Sequence, residues 1–130
     1  MPIWNASNMS HLLSRSLFGF SKSDLSMAMG YGTFIDFIDK DLLKVSSLPA
    51  PPNAWVNAVP AQVQQTDGSA GRWYNEMTAW WYARMVNEGL NMQEKMVLFF
   101  HNHFSNERDK VNYPQNMYAQ NQLFRKYAFG

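Results

Sequence analysis

The chain has 130 residues, eleven basic and ten acidic side chains and no cysteine. That length suits one domain that buries roughly two thirds of the surface its unfolded form exposes. A net charge of +1 gives no long-range field for nucleic acid or an anionic membrane, and the lack of cysteine excludes both a disulfide framework and a thiolate metal site. The opening MPIWNASNMS has no basic segment leading into an apolar run, so it is not a signal peptide as it stands. The longest apolar run, Met96 to Phe100, is five residues, far below the roughly 18 that a membrane span needs.

Along the chain, Met9, Leu12, Leu13 and Leu17 recur at helical spacing and predict a first helix over residues 7–18, with Gly19 as its stop. Ser21 followed by Asp24 is a capping-box pattern, and Leu25, Met27, Ala28 and Met29 continue into a second helix that runs to Gly30. Thr33 with Asp36 repeats the pattern and opens a third, with Phe34, Ile35, Phe37, Ile38, Leu42 and Leu43 as its apolar set. Residues 46–71 then carry Pro49, Pro51, Pro52 and Pro60 and a polar run without helical period. So long a connection is uncommon in a compact domain, so the expectation is a first half pinned by Trp55 and a mobile second half from Gln64 to Gly71. PAPPNAW lacks the flanking basic residue of a polyproline ligand and reads as an ordered loop.

A fourth helix is expected from about Arg72 to Asn87, ending at Gly89, with Trp73, Met77, Trp80, Trp81 and Met85 three or four apart. Asn91 caps a fifth, with Glu94 three residues on and Met92, Met96, Phe99, Phe100, His103 and Phe104 as its inner stripe, fraying near Asn106. Pro114 suits the first turn of a sixth, which carries Met117, Tyr118, Leu123, Phe124 and Tyr127. No segment alternates with β-branched enrichment. The fold class is therefore all-α: about six short-to-medium helices in one irregular bundle, with a long Pro-rich loop between helices three and four.

The side chains capable of chemistry concentrate in EKMVLFFHNHF, Glu94 to Phe104. A helix turns about 100° per residue, so His101 and His103 point apart and cannot share one metal on a regular helix. His103 with Glu107, four apart, supplies two ligands of a divalent metal, and others, such as His11, come from elsewhere. The alternative is a packed histidine with its ring nitrogens hydrogen-bonded, while the other histidine and Asn102 tie helix to loop. The consecutive HNH letters do not match HNH nucleases, whose three residues are dispersed over a ββα finger. Trp73, Tyr74, Trp80, Trp81 and Tyr82 suggest either a sugar-binding platform or, as their spacing favours, a broad stripe packed between helices. Arg15, Arg84 and Arg125 either pair with Asp24, Glu76 or Glu94 across helix contacts or stay solvated.

Four ordered blocks carry a family resemblance. They are His11-Leu12-Leu13-Ser14-Arg15 with Phe18-Gly19; Trp80-Trp81 with Arg84-Met85; Glu94-Lys95-Met96 through His101-Asn102-His103-Phe104; and Gln120-Asn121-Gln122-Leu123 with Arg125 and Ala128-Phe129-Gly130. Together they resemble the uncharacterised bacterial family called domain of unknown function 1800. Phe100 stands where that family usually has tryptophan. The resemblance implies a predominantly helical protein of unestablished activity. It also implies a longer, often exported parent, of which this chain would be an amino-terminal part. The expected function is a helical structural or interaction module that docks an aromatic and methionine surface onto the remainder of the parent or onto a protein partner, with a tendency to self-associate. The other readings are part of a metal-assisted or acid–base site built around His101, Asn102 and His103, and carbohydrate binding through the tryptophans.

Overall fold

The computed structural model describes residues 4–59, 68–107, 110–111 and 113–130, and among them every regular element is helical. Six helices follow in chain order: α1 Ala6–Ser16, α2 Lys22–Met29, α3 Phe34–Phe37, α4 Ser69–Asn87, α5 Gln93–His103 and α6 Pro114–Lys126. A π-helical turn, Ile38–Leu42, extends α3, and a 3₁₀ turn, Ala54–Asn57, interrupts the Pro-rich connection.

Local chemistry starts several of these helices where the sequence indicated. Ser21 accepts from the Asp24 amide and Asp24 accepts from the Ser21 amide, which closes the capping box of α2. Thr33 accepts from the Asp36 amide at the start of α3. Pro114 occupies the first turn of α6, where its missing N–H costs nothing. Gly89 follows the end of α4 at φ 72°, the left-handed conformation that a glycine adopts without strain.

Other boundaries move. Helix α1 ends at Ser16 rather than running to Phe18, and Gly19 is not its stop. Its terminal carbonyl at Leu17 instead accepts from Lys95 Nζ on α5 at 2.7 Å, a cation placed against the negative end of the helix dipole. Helix α4 begins at Ser69, so Ser69 to Gly71 are helical rather than part of the loop, and Ser69 is buried. The expected mobility of 64–67 lies outside the described residues.

The first core gathers Met9, Leu13, Leu17, Ala28, Phe37 and Leu42, with Leu90 and Met92 packed against it from the α4–α5 corner. Asn91 ties that corner down. Its Nδ2 donates to the carbonyls of Asp41 and Lys44, its Oδ1 accepts from the Gln93 amide, and the Met92 amide donates to Leu42 O. Across the molecule, Trp55 is buried against Trp73, with rings stacked 5.7 Å apart, and donates to Glu76 Oε2 at 2.8 Å. The first half of the Pro-rich connection is pinned as the sequence suggested, with Trp80 Nε1 also holding Ala50 O.

The main departure concerns α5 and α6. The inner face of α5 is Gln93, Glu94 and Val97 with half-buried His101, whereas Phe99 and Phe104, expected inside, are each 55% exposed and His103 is exposed as well. Helix α6 buries Gln115, Asn121 and Arg125 and leaves Leu123 54% and Tyr127 51% exposed. Both helices turn a polar stripe inward, because their polar side chains find each other there.

Asn91→Ala removes the donor to one part-buried and one exposed carbonyl and is expected to lower unfolding free energy by about 1–2 kcal/mol in urea titrations. Asn91→Asp keeps the cap acceptor but sets a carboxylate against two carbonyls, so it is expected to recover little of that loss.

Candidate functional site

The buried polar stripes of α5 and α6 meet at one ion pair. Arg125 Nε and Nη2 donate to Glu94 Oε1 and Oε2 at 2.6 and 2.7 Å, a bidentate pairing whose partners are each 1% exposed. Helix α4 completes it: Trp81 Nε1 donates to Glu94 Oε2 at 3.0 Å, and Arg84 Nε lies 3.8 Å from Oε1. Trp80 lies under the Arg125 guanidinium, 5.2 Å from ring centroid to Cζ, and Gln93 Nε2 donates to the Arg125 carbonyl. Two cations and an indole N–H thus converge on one carboxylate out of water, the condition under which a buried charge is tolerated.

His101 extends the cluster. Its ring lies 4.5 Å from Trp81 and edge-on to Phe124 at 4.9 Å, while the side-chain amide of the fully buried Asn121 is hydrogen-bonded to Nε2 at 3.2 Å. Burial, with the Arg125 charge adding to it, pulls the His101 pKa down to about 4.

Glu88, which the sequence reading did not single out, is the other titratable member. Its Oε1 accepts from the Glu94 amide at 2.6 Å, so a side chain from the end of α4 caps α5. The expected reciprocal box of Asn91 with Glu94 is therefore not closed, since the Glu94 carboxylate faces Arg125. Burial pushes the Glu88 carboxyl up to about 7, reinforced by the Glu94 charge and opposed by that amide hydrogen bond. It borders a cleft of about 330 Å³ shared with Gly19, Asp24 and Asn91. The signal that could have found it is positional: an acid four residues after Arg84, just before a glycine stop.

The motif residues do not gather at one place. Trp80, Trp81, Arg84, Glu94, His101, Asn121 and Arg125 form the cluster. Lys95 joins α5 to the end of α1 beside Phe18, and Gln120 Nε2 holds the Phe104 carbonyl at the end of α5. His11 and Arg15 stand apart on α1, lining a different cleft with Leu12. Asn102 and His103 are exposed, and His103 stacks on Phe99 at 6.0 Å. His101 and His103 do point apart.

The helix ends at His103, so Glu107 lies beyond it and the i,i+4 geometry that would pair them is not formed. Among the described residues no three His, Asp or Glu side chains converge as a metal would require. The aromatic residues do not make a flat platform: Trp55 stacks on Trp73, Trp80 and Trp81 donate to Ala50 O and Glu94, and the buried Tyr74 donates to Val111 O.

The spread of the motif blocks over α1, α4, α5 and α6 agrees with a match to the model of the family described as "Protein of unknown function (DUF1800)", over residues 11–130. The chain belongs to this family. No curated protein and no solved structure matches it. No helix among the described residues of this family member is long and apolar enough to cross a membrane.

Glu94→Ala strands Arg125 without its partner and is expected to cost about 3–5 kcal/mol, a large part of a domain's whole stability. Replacing both partners, Glu94→Leu with Arg125→Met, is expected to cost less than either single change in urea unfolding. An additive double variant would show that the two side chains act independently.

The two shifted groups oppose each other in pH. Glu88, raised from 4.5 to about 7, contributes stability that is fully present below pH 4.5 and lost as pH rises through 7. His101, lowered from 6.5 to about 4, contributes stability that is fully present above pH 6.5 and lost as pH falls through 4. Each is worth on the order of 1–2 kcal/mol after discounting for partial exposure. Between about pH 4.5 and 6.5 they cancel in the native chain. Glu88→Gln is expected to leave only the His101 slope, so acidification over that range destabilises the variant more than the parent, as read from urea midpoints.

Proposed function

We propose that this chain is a helical structural and interaction module of a larger bacterial protein, which docks an apolar ledge on α5 and α6 against helices of the parent or of a protein partner. The observation that carries this reading is the inversion of those two helices. Their polar stripes are occupied with one another inside, while Phe99, Phe104, Leu123 and Tyr127 face out. The exposed rings rest on half-buried ones: Phe104 lies 6.4 Å from Phe100 and 5.9 Å from Phe124, and Phe99 sits 5.6 Å from Phe100. A contiguous exposed apolar patch of this kind marks an interaction surface more often than a solvated one.

The same inversion accounts for the motif side chains of the buried cluster without requiring a reaction. Glu94, Arg125, Trp81 and Asn121 are engaged in hydrogen bonds that join α4, α5 and α6. They support a rigid platform on which the ledge is displayed.

Sedimentation of the isolated chain over a wide concentration range tests the proposal. Self-association is expected to grow with concentration and to be abolished by Phe99→Glu with Phe104→Glu. The unfolding midpoint should be unchanged, because both rings are already half in solvent. A chain that stays monomeric at the highest concentration, with ledge variants indistinguishable from it, would sink the reading.

A further inference from the structure

The first motif block is the one that the buried cluster does not use, and it borders the largest cleft among those described. This cleft, of about 840 Å³, lies between α1 and the start of α3. Small-molecule sites typically span roughly 300–1,000 Å³ and combine apolar walls with a few placed polar groups. Here the apolar walls are Trp4 and Leu12 on one side and Phe34, Ile35 and Ile38 on the other. Trp4 meets Phe34 edge-on at 4.7 Å and braces the two sides. Ile35 is 68% exposed, a large β-branched side chain turned into the cleft rather than into the core.

The basic groups lie on one side, and Thr33 on the other is bonded to Asp36. His11 and Arg15 are four apart on α1, so they stand on the same face, and both are exposed along the rim. Arg15 pairs with no carboxylate among the described residues, where the ion pairs are Lys40 with Asp36 and Arg84 and Arg125 with Glu94. Asp24, the partner that the sequence offered it, is occupied by the Ser21 amide and hydroxyl. A guanidinium presents a planar fork of donors that matches a carboxylate in two bonds. The rim from Asn8 to Arg15 is about 10 Å long, two helical turns. That is short for a docked peptide helix with flanks and ample for a small molecule.

We infer that this cleft binds a small amphiphile with a carboxylate head and an aliphatic tail, the head against Arg15 and His11 and the tail along Leu12, Phe34, Ile35 and Ile38. The charge of the rim selects the head, and the exposed wall supplies the burial that holds the tail. The inference is independent of the ledge on α5 and α6, which lies on other helices.

The test is titration of decanoate, decan-1-ol and acetate into the whole chain, followed by calorimetry and by tryptophan fluorescence, with Trp4→Phe to assign the optical signal. Decanoate is expected to bind saturably, one per chain, about tenfold or more tighter than decan-1-ol, as a charge-assisted contact to Arg15 requires. Acetate, which has no tail, is expected not to bind measurably. Arg15→Gln should erase the preference for decanoate while leaving decan-1-ol binding unchanged. Ile35→Asp, at an exposed position that does not threaten folding, should abolish both. The double ledge variant Phe99→Glu with Phe104→Glu should bind decanoate like the parent. Equal affinity for the acid and the alcohol, a preference that survives Arg15→Gln, binding that disappears with the ledge variant, or no saturable binding would each overturn the inference.

Discussion

The carboxylate of Glu94 is the constraint around which the carboxy-terminal half is arranged. A charge that is 1% exposed is tolerable only with its partners in place, and here they come from two other helices: Arg125 from α6, and Trp81 and Arg84 from α4. The pairing fixes rotation as well as distance. Because Arg125 bonds through two nitrogens, α6 can meet α5 in only a narrow range of orientations, and the Trp81 indole sets α4 against both.

The cost of that arrangement appears on the opposite faces. A helix has one inner side, and once Glu94 and His101 occupy it on α5, Phe99 and Phe104 must look outward. Helix α6 repeats the logic with Asn121 and Arg125 inside and Leu123 and Tyr127 outside. Specific geometry is gained inside at the expense of apolar surface left in water. The polar interior and the exposed ledge are therefore one feature seen from two sides.

The amino-terminal half is built differently, on an apolar core of Met9, Leu13, Ala28 and Phe37 with capped helix starts. Few bonds join it to the rest, and they come from residues that end or begin helices: Lys95 on the Leu17 carbonyl, and Asn91 and Met92 on the π-helical turn and its flank. With the core already filled, His11, Arg15 and Ile35 remain at the surface and form the walls of a cleft.

What the sequence by itself determined is what depends on near neighbours. The Ser21 and Thr33 caps, Pro114 at a first turn, Gly89 after α4 and the absence of β-patterning all act within a few residues, and they suffice for the all-α class and the helix count. Trp55 was legible as an anchor because a lone indole in a polar, Pro-rich stretch has few other uses. The tertiary structure decided everything that depended on a partner far along the chain. The carbonyl that closes α1 is held by Lys95, 78 residues away. Phe99, His103 and Phe104 of the stripe read for α5 proved to face outward because Arg125, 31 residues on, drew Glu94 inward. Periodicity records which residues share a side of a helix, but only the position of an opposite charge in space decides which side is buried.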